Sequence, residues 1–301
     1  MISDASPVEH SGPLPKSADV VVIGGGVIGV CTALFLARKG QQVLLLEKGR
    51  IAAEQSSRNW GWIRQQGRDP DELPIMVEAA RLWRELAGQT GEDIGLVTGG
   101  LAYMARDEKQ MAKYAGWLPH AQANGVDTRL LSRVELADLI PDARRNWQGG
   151  LYTASDMRAE PWLAVPALAR LAALEGATLI ERCAARGIER SAGQVSAVVS
   201  EAGRIETSQV VVAGGAWSAL FLHSIGVNIP QLSVLSTVVA ATGGAAAVCE
   251  ATRLAAPRRR WGNPAGVRSS DCWPFDGEWP FELGSLSRLV ARWHKAGQWQ
   301  R

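Results

Sequence analysis

The longest apolar stretch of the chain, from Val20 to Lys48, is interrupted by glycines and changes its periodicity twice. A membrane span needs about 20 apolar residues in one unbroken helix, whereas Gly24, Gly25, Gly26 and Gly29 divide this stretch. Runs of glycine are unfavourable inside helices and strands, so the break predicts a turn. The pattern predicts the following succession: a buried strand over Ala18–Ile23, a turn, a helix over Val27–Lys39 and a second buried strand over Gln42–Leu46.

The middle of the chain is rich in helical periodicity, and strand-like alternation follows it. Apolar spacing predicts helices over Leu73–Leu86, Glu108–Ala123 and Ser132–Ile140, with a pair of strands between the first two over Leu96–Ala105. Between Cys183 and Ser218, alternation with turns at Gly193 and Gly203 predicts a meander of half-buried strands. A last apolar strand over Ser208–Ala213 ends in a second glycine pair, Gly214–Gly215.

The first strand, turn, helix and second strand form a βαβ unit that carries Gly24-x-Gly26-x-x-Gly29 at its first turn. This spacing binds a dinucleotide: the first glycine permits the turn, the second admits a pyrophosphate, and the third lets the helix pack closely. The amides at the helix N-terminus attract the phosphate charge. Glu47 ends the second strand, where a carboxylate accepts hydrogen bonds from ribose hydroxyls. The acid favours a 2′-hydroxyl and therefore disfavours NADP.

The segment after Glu47 helps to choose between FAD and NAD. An NAD-dependent dehydrogenase would continue to alternate strands and helices, whereas residues 51–70 are polar and irregular. Such a loop offers hydroxyls and amides to a second phosphate or to a flavin ring, although a surface loop would have the same composition. The residues that could serve here are Ser56, Ser57, Arg58, Asn59 and Gly61.

The GGGVIG turn, the EKG after the second strand and the SSRN loop resemble the FAD-dependent D-amino-acid oxidase and dehydrogenase family, which includes glycine and sarcosine oxidases. Two later blocks, over Leu151–Ile180 and Cys183–Ser218, resemble the family in order and spacing. The resemblance covers about residues 18–240 and implies an α/β fold, α+β overall. In that fold a Rossmann-like FAD-binding domain carries an inserted, incomplete substrate domain with a mixed sheet.

The resemblance also implies which residues bind FAD. In the family, the main chain at the position of Ala185 contacts adenine, and the turn at Gly214–Gly215 approaches the cofactor. Trp217 follows that turn, although a core aromatic would look the same in sequence. The full predicted cofactor site is Gly24, Gly26, Val27, Ile28, Gly29, Glu47, Lys48, Ser56, Ser57, Asn59, Gly61, Ala185, Ala213, Gly214, Gly215 and Trp217.

The reaction that the resemblance implies is hydride transfer to FAD from a carbon that bears an amine, followed by hydrolysis of the imine product. The substrate would be an amino acid or an N-alkyl amino acid. A cation near flavin N1 would stabilise the reduced anion, and Arg58 and Arg64 are the candidates. The alternatives are a catalytically incomplete flavoprotein or a subunit of a heteromeric dehydrogenase, an FAD-dependent 2-hydroxy acid dehydrogenase, and an NAD-dependent dehydrogenase. The sequence leaves the electron acceptor open.

Composition and charge narrow the classes of partner. A net charge of +2 and one short basic run, Arg258–Arg260, do not indicate a nucleic-acid-binding protein. The four cysteines lack metal-ligand spacing, so we expect free thiols and no metal site. Residues 1–16 are polar and proline-rich and predict a disordered tail instead of a signal peptide. We therefore expect a cytoplasmic protein without a membrane span, with peripheral attachment to the inner membrane face as an alternative.

The predicted domains follow from these blocks. Residues 17–90 and 150–228 would form the FAD-binding domain, and residues 91–149 and 229–256 part of the substrate domain. From about Leu254 the resemblance ends, and residues 257–301 form an atypical tail that is rich in tryptophan. This tail is either an aberrant, frameshifted ending or a divergent and shortened substrate domain.

Overall fold

The computed structural model describes residues 2–3, 5–140, 147–233 and 253–254. Its helices are α1 (Val27–Arg38), α2 (Leu73–Gln89), α3 (Glu108–Ala123), α4 (Arg133–Leu139), α5 (Pro161–Leu174) and α6 (Ser218–Ser224). Its strands are β1 (Val20–Ile23), β2 (Val43–Leu46), β3 (Trp62–Ile63), β4 (Val97–Thr98), β5 (Leu101–Ala105), β6 (Thr128–Ser132), β7 (Gly149–Thr153), β8 (Met157–Arg158), β9 (Thr178–Ile180), β10 (Ala185–Ser191), β11 (Gln194–Ser200), β12 (Gly203–Glu206), β13 (Gln209–Val212) and β14 (Arg253–Leu254).

A parallel sheet, with the described strands in the order β13-β1-β2-β9, lies at the centre of the predicted FAD-binding domain, which we call the cofactor region. Val20–Ile23 pairs in register with Gln209–Val212 on one side and with Val43–Leu46 on the other. Helices α1 and α5 cover one face of the sheet and the β10–β12 meander covers the other, so both faces are buried, which explains the continuous Val and Leu runs. The carboxyl ends of β1, β2 and β13 consequently meet at one edge.

Side chains alternate across this sheet and enter two different cores. Val20, Val22 and Leu45 pack under α1 and α5 on one face, because successive strand residues point to opposite faces. Val21 and Leu44 lie on the other face, where they pack against the β10–β12 meander through residues such as Val198. The cofactor region is therefore three layers thick.

The meander has the antiparallel order β10-β11-β12 that the sequence predicts. Helices α1 and α3 and strands β2 and β13 also lie within a residue or two of their predicted limits. The α/β, Rossmann-like fold class is confirmed. The expected pair of strands over Leu96–Ala105 is wrong in one respect, because β4 pairs with β8 while β5 pairs with β7 and β14. The turn at Gly100, with φ +71° and the Tyr152 ring against it, directs the two strands into different sheets.

The sheet of the predicted substrate domain, which we call the second sheet, has the order β14-β5-β7-β6 among the described strands. Its described pairings are antiparallel, where the sequence suggested a mixed sheet. Strand β14 brings Arg253–Leu254 beside Leu101–Ala102. The atypical tail over residues 257–301, together with Cys249 and Cys272, lies outside the described residues.

The segment over residues 5–16 packs on the cofactor region, in contrast to the disordered tail that its composition suggested. The carbonyl oxygen of Lys16 accepts a hydrogen bond from the Glu206 amide at 2.9 Å, and Leu14 contacts the core beneath the meander. Glu9 and His10 donate their amides to the Glu181 carboxylate. Composition missed this order because the contacts join residues far apart in the chain.

Candidate functional site

The glycine turn after β1 is shaped by close approaches that only glycine allows. Gly24 has φ +114°, and a Cβ there would collide with the carbonyl oxygen of Ala213 at the end of β13. A Cβ on Gly29 would collide with the carbonyl oxygen of Gly24. The glycines therefore bring the turn against β13 and seat α1 directly on the turn, as a dinucleotide cradle requires.

Helix α1 begins at this turn and presents its N-terminus to the same edge of the sheet. Its first turn contains no acidic residue, so no side chain of the helix itself neutralises the positive end of the helix dipole. Ser56 from the following loop accepts a hydrogen bond from the Val27 amide at 2.9 Å. A Cβ on Gly26 would lie 3.0 Å from the Ser56 hydroxyl oxygen. The serine hydroxyl thus sits at the N-terminus of α1, where a phosphate oxygen could bind.

Glu47 is held at the end of β2 by main-chain amides. Its Oε2 accepts from the Gly25 amide at 2.6 Å and its Oε1 from the Gly49 amide at 2.8 Å. The side chain is buried and lies against Gly25, whose missing Cβ leaves room for it. Each carboxylate oxygen retains capacity for a second hydrogen bond, so Glu47 can accept from ribose hydroxyls without moving.

These groups surround one open cleft of about 1460 Å³. This volume exceeds that of a typical small-ligand pocket and is sufficient for a dinucleotide. The predicted residues that line the cleft are Gly24, Gly26, Val27, Ile28, Glu47, Lys48, Ser56, Arg58, Ala185, Ala213, Gly214, Gly215 and Trp217. The fold therefore brings together residues from four separate parts of the sequence.

The other predicted residues support the cleft from behind or lie away from it. Gly29 packs on Gly24, and Ser57 is buried. Asn59 accepts from the Gly61 amide at 2.7 Å, and Gly61 lies against the carbonyl oxygen of Ala159. These residues shape the loop instead of lining the cleft.

The two candidate arginines occupy different positions. Arg58 lines the cleft, is half exposed, and lies 3.4 Å from the Glu54 carboxylate. Arg64 is outside the described lining, and its guanidinium donates to the Tyr103 hydroxyl and to the carbonyl oxygen of Gln66. The geometry consequently favours Arg58 as the cation near a bound cofactor.

Lys48 and Trp217 contact each other along the cleft. The Lys48 ammonium lies 4.2 Å from the centroid of the Trp217 ring and 2.9 Å from a Glu54 carboxylate oxygen. Trp217 is 43% exposed, so it is a partly solvated residue of the cleft wall. This position distinguishes it from the core aromatic that the sequence left open.

Sequence reasoning missed several lining residues. They are Ile2, Ser3, Ile23, Gly25, Leu46, Arg50, Ala52, Ala53, Glu54, Gln55, Ala184, Arg186, Val212, Ala216, Ser218, Leu220, Phe221, Ser224, Gln231, Leu232 and Ser233. The run of three consecutive glycines was a usable signal for Gly25, whereas Ile2 and Ser3 belong to no recognisable motif.

A buried polar network connects residues 65–66, at the end of the polar segment that follows Glu47, to the second sheet. The Asp156 carboxylate is fully buried and accepts from the amides of Gln65 at 2.7 Å and Gln66 at 3.2 Å. Burial raises the pKa of Asp156 above its ordinary value, and the amide hydrogen bonds act against that rise. Gln66 in turn bonds Thr153 at 2.9 Å on β7. The network fixes the connection between the two regions.

Within the described ranges, no cluster of three or more histidine, cysteine or acidic side chains is arranged to bind a metal ion. None of the described helices combines the length and the apolar character that a membrane crossing requires.

The family described as FAD dependent oxidoreductase (DAO) matches residues 19–266. The chain belongs to this family. The match runs past Leu254, where the sequence resemblance was expected to end.

Individual relatives share this region. The chain is 30% identical over 232 residues to sarcosine dehydrogenase of Homo sapiens, covering 74% of this chain and 25% of that protein. It is 30% identical over 227 residues to glycine oxidase of Pseudomonas putida, covering 71% of this chain and 60% of the relative. The solved L-amino acid deaminase of Proteus myxofaciens has a TM-score of 0.73 at 36% identity, with 76% of this chain and 53% of that one covered. The chain therefore spans between a quarter and three fifths of these relatives' length.

Proposed function

We propose that this chain binds FAD and takes part in the oxidation of an amino acid or N-alkyl amino acid at the carbon next to nitrogen. The observation that carries the proposal is the cleft in which the glycine turn, Glu47 and the Ser56 loop meet. Relatives named for sarcosine, glycine and L-amino acids support this substrate class.

The residues of the cleft fit the parts of the cofactor. The Gly24–Val27 turn and the N-terminus of α1 would hold the diphosphate, and Glu47 the ribose of the adenosine. The main chain at Ala185 would contact adenine, while Gly214–Gly215 and Trp217 would lie along the other wall. Arg58 would supply positive charge near the flavin. When bound, FAD supplies the acceptor for the hydride, and this chain's own residues orient the ligand and exclude water.

A second candidate is a flavoprotein subunit that acts only with a partner chain. Sarcosine oxidase subunit beta of Arthrobacter, which is 27% identical to this chain over 223 residues, is named as a subunit. We further propose the cytoplasm as the location and the domain division given above, with Arg253–Leu254 as part of the substrate domain.

Purified protein tests the proposal directly. We expect a yellow preparation whose flavin absorbance bleaches without oxygen when an amino acid or N-methyl amino acid is added, and hydroxy acids serve as the comparison panel. Flavin that binds and does not bleach supports the subunit. Colourless protein that binds NADH would contradict the proposal.

Substitutions test the assignment of the site. Gly26→Ala crowds the Ser56 hydroxyl, and Glu47→Ala removes the ribose acceptor, so both variants should retain less FAD. Flavin content should be measured after gel filtration and compared with that of Gly187→Ala, because a Cβ at Gly187 has open space around it. Unchanged flavin content in both test variants would remove the site assignment.

A further inference from the structure

Residues 2–3 and 5–10 lie beside the cofactor cleft, and two of them line it. Ile2 and Ser3 contribute to the cleft wall, and Ile2 also packs against the core cluster that contains Ile51 and Ala52. Ser3 is exposed and belongs to a small turn in which the Ser6 amide donates to its carbonyl oxygen at 2.9 Å. The wall therefore includes residues from outside the βαβ unit.

A buried carboxylate fixes this segment to the cofactor region. Oε2 of Glu181 accepts from the amides of Glu9 at 2.8 Å and His10 at 3.0 Å, and Oε1 accepts from the Ile51 amide at 2.7 Å. Arg50 forms an ion pair with the same carboxylate, and the two side chains are 4% and 1% exposed. Removing one partner of such a pair leaves a buried charge without compensation, which is strongly unfavourable.

Arg50 connects the segment to the cleft itself. Its Nε donates to the carbonyl oxygen of Ser6 at 3.0 Å, and Arg50 also lines the cleft. The loop that follows Arg50 supports the glycine turn, because the Ala52 amide donates to the carbonyl oxygen of Gly25 at 3.0 Å. Ala52 adopts φ +62° to make this contact, a left-handed conformation that residues with a Cβ adopt only when their surroundings hold them there.

We propose that Ile2 and Ser3 form one wall of the diphosphate part of the cleft, and that the hydrogen bonds of Ser6, Glu9 and His10 to the buried Arg50–Glu181 pair fix this wall in place. The ligand class is an adenine nucleoside diphosphate, as part of the FAD in the proposed function on which this inference rests. Because the wall comes from the N-terminal segment, a charge placed on it should act on the diphosphate without altering the glycine turn.

The test places opposite charges at Ser3 and measures the dissociation constant of ADP by calorimetry with the full chain. Ser3→Asp should weaken ADP binding about three- to tenfold and Ser3→Lys should strengthen it by a similar factor. Both effects should shrink as salt is raised from 50 mM to 500 mM, since exposed charges are screened. Ser11→Asp and Ser11→Lys are matched controls in the same segment, because Ser11 is exposed and outside the described lining.

The role of the Arg50–Glu181 pair is tested by combining substitutions. Glu181→Gln keeps the size of the side chain and removes its charge, so it should release the segment and abolish the effect of Ser3→Lys on ADP binding. Circular dichroism and the melting temperature without ligand establish that each variant is folded. If Glu181→Gln does not fold, deletion of residues 2–8 replaces it, and ADP binding should then weaken to the level of the Ser3→Asp variant or below.

The outcomes separate the two proposals. Failure of the unaltered chain to bind ADP or FAD contradicts the proposed function. Normal ADP binding by the unaltered chain, with the same dissociation constant in both Ser3 variants, overturns the inference and leaves the proposed function standing. A Ser3 charge effect that persists unchanged in the Glu181→Gln background would refute the role of the Arg50–Glu181 pair. If Glu181→Gln does not fold, a deletion variant that binds ADP normally would refute the proposed wall.

Discussion

The cofactor region and the second sheet are stabilised in different ways. Around the cleft, the close approaches of residues 24–29 set the geometry locally and place the glycine turn against Ala213 and the Glu47 carboxylate. Beside the second sheet, the side chain of Asp156, which follows β7, holds Gln65 and Gln66 across a separation of about ninety residues. The first region depends on backbone shape, and the second depends on a long-range polar contact.

This difference implies that the two regions respond differently to substitution. A change at the glycine turn alters the fold and the ligand site together, because the same atoms serve both. A change at Asp156 should weaken the connection between the regions while it leaves the nucleotide-binding groups in place.

Gly29→Ala should have the largest effect. The new methyl group would collide with the carbonyl oxygen of Gly24, and overpacking of this kind costs about 1–3 kcal/mol of folding free energy. The melting temperature should fall by about 2–4 °C per kcal/mol, and ADP binding should weaken at least tenfold. Gly116→Ala in α3 is the control, because its Cβ meets open space; equal melting temperatures for both variants would refute the packing argument.

Glu47→Gln should weaken both ligand binding and stability. The substitution replaces one accepting oxygen with an amide that faces the Gly25 or Gly49 N–H group, so the side chain can no longer accept from both. We expect ADP to bind about tenfold more weakly, as for the loss of one charged hydrogen bond, and the melting temperature to fall because a buried hydrogen bond is lost at a cost of about 1–3 kcal/mol. Calorimetry of ADP against riboflavin checks this, since riboflavin lacks the adenosine ribose and should bind the variant as well as the unaltered chain.

Asp156→Asn should lower stability and leave ADP binding almost unchanged. One of the two amide hydrogen bonds from Gln65 and Gln66 is lost inside the protein, at a cost of about 1–3 kcal/mol. The melting temperature should therefore fall while the ADP dissociation constant stays within about twofold. A large loss of ADP affinity would show that the two regions are not independent.

Lowering the pH should have the smallest effect, and it should act on the cofactor region. Burial lowers the pKa of His10 below its ordinary value, and Arg170 and Arg50 act in the same direction, whereas Glu9 opposes them. The unfolded chain therefore binds the proton more readily, so stability is fully present above pH 6.5 and declines as the pH falls below it. His10→Gln should flatten the dependence of melting temperature on pH between 7 and 5.5; an unaltered slope would assign it to other groups.

The local elements were predictable because their signals lie close together in the sequence. The glycine spacing predicted the turn, and Gly40, with φ +77°, follows the C-terminal end of α1. Glu47 and the pair Gly214–Gly215 were also placed correctly at the sheet edge, since parallel strands end on the same side.

The remaining features depend on contacts between distant residues, which a single sequence does not display. The position of β9 beside β2, the pairing of Arg50 with Glu181, and the burial of Asp156 are of this kind. The disordered tail expected from the composition of residues 1–16 differs from the structure for the same reason. Glu9 and His10 donate to Glu181, which lies about 170 residues further along the chain. Arg64 was a reasonable candidate by proximity in sequence, but Tyr103 draws its side chain away from the cleft.

The two amides that hold Glu47 have a kinetic and entropic consequence. A glutamate side chain normally gives up about 0.5–1.5 kcal/mol of rotamer entropy when a ligand immobilises it, whereas Glu47 is already immobilised by Gly25 and Gly49. That cost is met during folding and not during association. Protein stripped of its nucleotide should therefore regain it rapidly, with an association rate close to that of a rigid receptor.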